Sequence, residues 1–143
     1  MEIKKTIKAP NDYIFDSIIA SGLADIKKQT HRNPGAANLN GFEYSKTFAQ
    51  NRRGRIKYDE VTRPSVYAFS TFTNRASFHT RWDLTAVDAE TTRVKITESQ
   101  ESNGFFQRLN DMAVGFLLGR TKKKQMIAVL NEMERLYASK ERK

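Results

Sequence analysis

Between Phe42 and Ser99, apolar and polar residues alternate in five runs, and that period of two predicts five antiparallel strands. With the even-numbered positions taken as one face, strand 42–49 presents Phe42, Tyr44, Lys46 and Phe48, and strand 55–62 presents Ile56, Tyr58, Glu60 and Thr62. Strand 66–72 adds Val66, Ala68, Ser70 and Phe72, and strand 76–86 adds Ala76, Phe78, Thr80, Trp82, Leu84 and Ala86. Strand 92–99 contributes Thr92, Val94, Ile96 and Glu98, so its apolar face ends in a charge. The odd positions of the longest strand, Ser77, His79, Arg81, Asp83 and Thr85, read as a wet face. Turns at Gln50–Gly54, Arg63–Ser65, Thr73–Arg75 and Val87–Thr91 allow registers that keep even residues opposite even ones. The third turn is the weak point, because a strict two-residue turn at Asn74-Arg75 pairs even with odd, and a slip of one residue turns a strand over. This register sets Asp83 opposite Lys95 and leaves Val61, Tyr67 and Phe69 on the outer face, which calls for a cover or a contact patch there.

The flanking segments change period. Glu2–Lys8 alternates as a first strand, and Ala9-Pro10-Asn11-Asp12 stops it. Tyr13–Ala20 predicts a short helix burying Ile14, Phe15, Ile18 and Ile19; Ser21-Gly22 breaks it, and Leu23–Lys28 makes a second. Gln29–Gly41, with Asn33-Pro34-Gly35, reads as a long loop. From Ser102 to Lys143 apolar residues recur every three to four positions: Phe105, Leu109, Met112, Phe116, Met126, Leu130, Met133 and Tyr137. That is one long amphipathic helix. A sheet and a helix with one apolar side each must bury against each other, which makes a two-layer α+β fold. The expected architecture is a curved antiparallel sheet of about six to seven strands around a long C-terminal helix, in a single domain over 1–143.

The element order, together with Ile7-Lys8-Ala9-Pro10 and Ile14-Phe15-Asp16-Ser17-Ile18, resembles the opening of the START-like (SRPBCC) superfamily. Trp82-Asp83-Leu84-Thr85 and Thr92-Arg93-Val94-Lys95-Ile96-Thr97 look like that superfamily's penultimate hairpin. The resemblance covers the whole chain and points to a bacterial subfamily of unknown function. It implies a helix-grip fold, with two short helices after the first strand and a cavity between sheet and helix that takes an apolar ligand.

Candidate chemistry is then read from the inward face. Lys46 and Glu60 fall there as near diagonal neighbours, and burying a charge is expensive unless it is paired. They read as a polar anchor for a ligand head group or as solvated rim residues; Glu98, opposite Thr80, reads as rim. Tyr44, Tyr58, Ser70 and Thr80 are further inward hydrogen-bonding groups, and Phe72, Phe78, Trp82, Met112 and Phe116 form the apolar wall. Gly115 and Gly119, mid-helix, open space over the sheet or allow close packing. His31 and His79 are the two histidines, and cysteine is absent, so a histidine-rich metal site, a thiolate site and a disulfide framework are excluded. No carboxylates pair at an acid/base spacing, and we expect no catalytic residue, metal or cofactor.

A net charge of +9, with basic clusters at Arg52–Arg55 and Arg120–Lys124, invites an anionic partner. The leading reading is nonetheless binding of an apolar or amphipathic small molecule. The alternatives are a basic adaptor for nucleic acid, a protein partner or an anionic membrane surface, and a cyclase- or hydrolase-like enzyme working in the same pocket. No signal peptide is visible and the longest apolar run, Met112–Leu118, is too short to span a bilayer, so a cytoplasmic location without a transmembrane segment is expected.

Overall fold

The structure, a computed structural model, describes residues 1–48, 51–74, 76–102 and 105–141; for 102, 105–121 and 141 it describes the backbone alone. Six strands, β1 (Glu2–Ile7), β2 (Glu43–Phe48), β3 (Arg52–Thr62), β4 (Val66–Phe72), β5 (Ala76–Asp88) and β6 (Thr91–Ser102), form one antiparallel sheet in the order β1-β6-β5-β4-β3-β2. Helix α1 (Asn11–Thr30) follows β1, and α2 (Phe105–Glu141) closes the chain. The sheet is curved and the helices lie on its inner face, a helix-grip arrangement. No helix among the described residues is long and apolar enough to cross a membrane.

Where two short helices are expected, α1 is one helix of 20 residues that runs through Ser21-Gly22. A mid-helix glycine costs roughly 1 kcal/mol relative to alanine. Burial of Ile14, Phe15, Ile18 and Ile19 before it, and of Ile26 after it, holds both halves to the same sheet. The segment that follows is anchored as well. Leu39 is fully buried, and Asn40 accepts from the Val61 N–H (2.7 Å) and donates to the Val61 carbonyl (2.9 Å). On α2, Leu130 is fully buried, and Met126, Met133 and Tyr137 pack on the core, as the period predicts. Phe105, Leu109, Met112 and Phe116 lie outside the residues whose side chains are described.

The register departs from the even-with-even scheme twice, and the two departures cancel. A β-bulge between Tyr58 and Glu60 inserts an extra residue, so Tyr58 pairs with Phe69 whereas Glu60 pairs with Ala68. The second is the connection between Thr73 and Ala76, where Thr73 accepts from and donates to the Ala76 backbone and Phe72 pairs with Ser77. Even with odd is the result on β4 and β5. The inward residues of this stretch are therefore Val61, Tyr67, Phe69 and Thr71, opposite partners such as Trp82 (of Tyr67) and Thr80 (of Phe69). From β5 onward the even positions face inward again, with Trp82 against Ile96 and Leu84 against Val94. Outside, Asp83 pairs with Lys95 in register as expected, although its carboxylate is bonded to Arg81 at 3.0 Å.

Both borders of the sheet have backbone donors taken by side chains. Gln29 of α1 accepts from the Thr47 N–H on β2 (3.1 Å), and Glu134 of α2 accepts from the Lys8 N–H just beyond β1 (2.7 Å).

Candidate functional site

Under α1 the inner face carries a polar cluster among apolar neighbours. The helical spacing Ile18, Gly22, Asp25, Gln29 turns one side of α1 toward β2. Asp25 there accepts from the Tyr44 hydroxyl (2.5 Å) and from the Lys46 ammonium (3.0 Å). Lys46 and Asp25 each keep 26% of their side chain exposed, so the pair sits at the border of the interior. Deeper in, the Tyr67 hydroxyl donates to that of Tyr58 (3.1 Å), and the two rings meet edge to face at 5.6 Å. Both hydroxyls crowd Gly22: a Cβ there would lie 2.6 Å from the Tyr58 oxygen and 2.9 Å from that of Tyr67. Burial pushes the phenols of Tyr44, Tyr58 and Tyr67 above their ordinary value of 10.0, and the Asp25 carboxylate adds to the rise in each. All three are neutral donors at ordinary pH, and none competes with Asp25 as a negative charge.

Beyond this cluster, Phe48, Phe69 and Phe78 are half-buried on the inner face. Glu98 closes the far side. Its carboxylate, 11% exposed, accepts from the Thr80 hydroxyl (3.1 Å) and pairs with Lys122 of α2 at 2.5 Å. The expected rim residue is thus a tie between sheet and helix.

Of the residues singled out from sequence, Tyr44, Lys46, Tyr58, Phe78, Thr80 and Trp82 do face inward. Tyr44, Tyr58 and Trp82 are buried to 4%, 2% and 5% exposure and form the floor. Glu60, Ser70 and Phe72 are corrected to the outer face, because the bulge and the even-with-odd register of β4 and β5 invert the stretch that contains them. Glu60 reaches Arg81 there at 3.7 Å rather than Lys46. Ser70 bonds to Asp59 (2.5 Å) and to His79 Nδ1 (2.7 Å), and Phe72 lies under the Arg55 guanidinium at 4.8 Å. A shallow depression of about 420 Å³ lies beside them, lined by Asp59, His79, Arg81, Asp83 and Lys95 among others. Conversely Val61, Tyr67 and Phe69, expected outside, are inside. Met112, Phe116, Gly115 and Gly119 fall outside the residues whose side chains are described.

The sequence reading missed Asp25, Gly22, Tyr67 and Phe69. The signal for the first two was there: a carboxylate and a glycine continue the apolar stripe of Ile14 and Ile18 at helical spacing. Among the described residues, no three His, Asp or Glu side chains are placed to hold a metal ion.

A family model for a domain of unknown function, DUF3284, matches residues 1–119. The chain belongs to this family. No curated protein matches its sequence. The DUF3284 chain is similar in structure to a conserved protein from Geobacillus kaustophilus, with a TM-score of 0.59 at 14% identity over 96% of this chain and 94% of that one. A Staphylococcus epidermidis protein solved by NMR gives 0.57 at 18% identity, over 98% and 90% of the chains. The Zhui aromatase/cyclase from a Streptomyces species gives 0.53 at 15% identity, over 94% and 93%. At these identities the likeness is one of fold.

Proposed function

We propose that this DUF3284 chain binds an apolar or amphipathic small molecule between the inner face of the sheet and α2, and that it belongs with the START-like superfamily. One observation carries the reading. Phe48, Phe69 and Phe78 remain half-buried on the concave face, beside a partly exposed Lys46–Asp25 pair whose carboxylate also accepts from Tyr44. A core that served packing alone would bury its aromatic rings and leave no ion pair at their edge. The aromatase/cyclase among the structural neighbours supports a ligand-holding use of the fold. In this reading Lys46, Phe78 and Thr80 contact the ligand, joined by Phe48 and Phe69. Tyr44, Tyr58 and Trp82 support them from below, and Met112 and Phe116 are the candidates contributed by α2.

Native mass spectrometry of freshly purified protein should show a co-purified small molecule that leaves on denaturation. Phe78→Ala is expected to lower its occupancy several-fold, since losing a buried aromatic contact costs about 1–3 kcal/mol. Glu60→Ala, on the opposite face, should leave occupancy as it is. Equal loss in both variants, with both folded, would sink the inner-face site.

A further inference from the structure

We propose that the inner site selects single-chain amphipathic anions, held with the head group at the border between α1 and β2 and the chain on the phenylalanines. The inference rests on the ligand-binding reading above and adds the sign of the ligand's charge. It starts from the run Arg52-Arg53-Gly54-Arg55, which strand alternation divides between the two faces. Arg53 and Arg55 point outward, and Arg55 is paired there with Glu43. Arg52 is the cross-strand partner of Phe48 and shares its inner face.

Gly54 is the inward position between them, opposite Lys46. A Cβ at Gly54 would come within 2.9 Å of the Phe48 ring and 2.7 Å of the Phe72 carbonyl oxygen, so the ring lies across β3 where the side chain is missing. The Lys46 ammonium stands 5.3 Å from the centre of that ring. It has three N–H donors, of which Asp25 takes one. Farther along the same border, the Arg32 guanidinium sits 5.0 Å over the Phe42 ring. Among the described residues, three cations, Arg32, Lys46 and Arg52, thus line the border against the carboxylate of Asp25. The acidic residue of β2, Glu43, is turned to the outer face.

Behind this border lie half-buried aromatic rings and phenols held neutral by burial. A carboxylate or phosphate head can take the spare N–H donors of Lys46 and Arg52 while its hydrocarbon stays on Phe48, Phe69 and Phe78. A neutral head gains less, and an ammonium head meets like charge. Carboxylate and phosphate offer these donors the same chemistry, so both belong in the test.

The experiment is displacement of Nile red, a neutral apolar dye, by four twelve-carbon competitors below their micelle-forming concentrations: dodecanoate, dodecyl phosphate, dodecanol and dodecylammonium. At least one anion should displace the dye at about tenfold lower concentration than dodecanol, with dodecylammonium weakest. The order of the two anions names the head group. In the double variant Lys46→Met/Arg52→Gln the anion should fall to the level of dodecanol, whereas Arg53→Gln, on the outer face, should keep the advantage. Raising the salt concentration on the unaltered protein should shrink the same advantage, which reads the charge without any substitution. Dodecanol matching both anions, or an advantage indifferent to salt, overturns the charge selectivity and leaves the ligand-binding reading standing. An advantage that survives in the folded double variant removes it from this border. Failure of the dye and of every competitor to bind overturns both.

Discussion

Gly22→Ala should destabilise the protein by about 1–3 kcal/mol, the range for overpacking a filled interior. Helix propensity alone gives the opposite sign, a gain of about 1 kcal/mol for replacing glycine inside a helix. The contacts decide between them. The added methyl would stand 2.6 Å and 2.9 Å from two phenol oxygens, and neither phenol can swing clear, because Tyr58 and Tyr67 are packed edge to face on neighbouring strands. Either α1 lifts from the sheet or the Tyr67–Tyr58 hydrogen bond opens. Urea unfolding measures the loss. Tyr58→Phe in the Gly22→Ala background should recover part of it by removing the nearer oxygen, and a double-mutant cycle would isolate that term. A Gly22→Ala protein as stable as the original would mean that the helix does not rest on the tyrosines.

Alkaline pH should unfold the protein well before any effect on its backbone. Tyr44, Tyr58 and Tyr67 all hold their protons more tightly in the fold than in the unfolded chain, chiefly because burial disfavours the phenolate. The stability each contributes is fully present below the unfolded value of about 10 and is lost as pH rises beyond it, since the unfolded chain then sheds protons the fold retains. While the fold keeps all three protonated, the loss is about 1.4 kcal/mol per pH unit per tyrosine, or roughly 4 kcal/mol together. That is comparable to the whole stability of a small domain. Denaturant midpoints measured from about pH 9 to pH 11 should fall steeply above 10, and each of Tyr44→Phe, Tyr58→Phe and Tyr67→Phe should flatten the fall by about a third. A flat profile would mean that the three hydroxyls meet water in the folded protein.

Much of the architecture could be read from periodicity, because strand and helix each impose their own repeat on what is buried. The period of two found β2 to β6, and the period of three to four found α2 and the face of α1. What it could not find was phase. An extra residue at Asp59 and the short connection between Thr73 and Ala76 leave the local alternation of each run intact, so no single strand betrays them. The clue was a misfit: three large apolar residues, Val61, Tyr67 and Phe69, on the outer face, where they called for a cover or a contact patch. One inversion over this stretch turns all three inward and puts Glu60 beside Arg81. The polar cluster was half legible for the same reason. Tyr44, Lys46 and Tyr58 lie before the bulge and keep their predicted face, while their partners Asp25 and Tyr67 required α1 to continue past Gly22 and β4 to be turned over.

The side chains that close the sheet's two borders have a use apart from holding the helices in place. A terminal strand with open donors is a template on which another chain can add itself. Gln29 and Glu134 occupy one such donor at each border, and each comes from a helix that also covers the core. Docking of the helices and protection from strand-to-strand polymerisation are therefore a single event, and partial release of either helix would expose sticky backbone and greasy interior at the same moment.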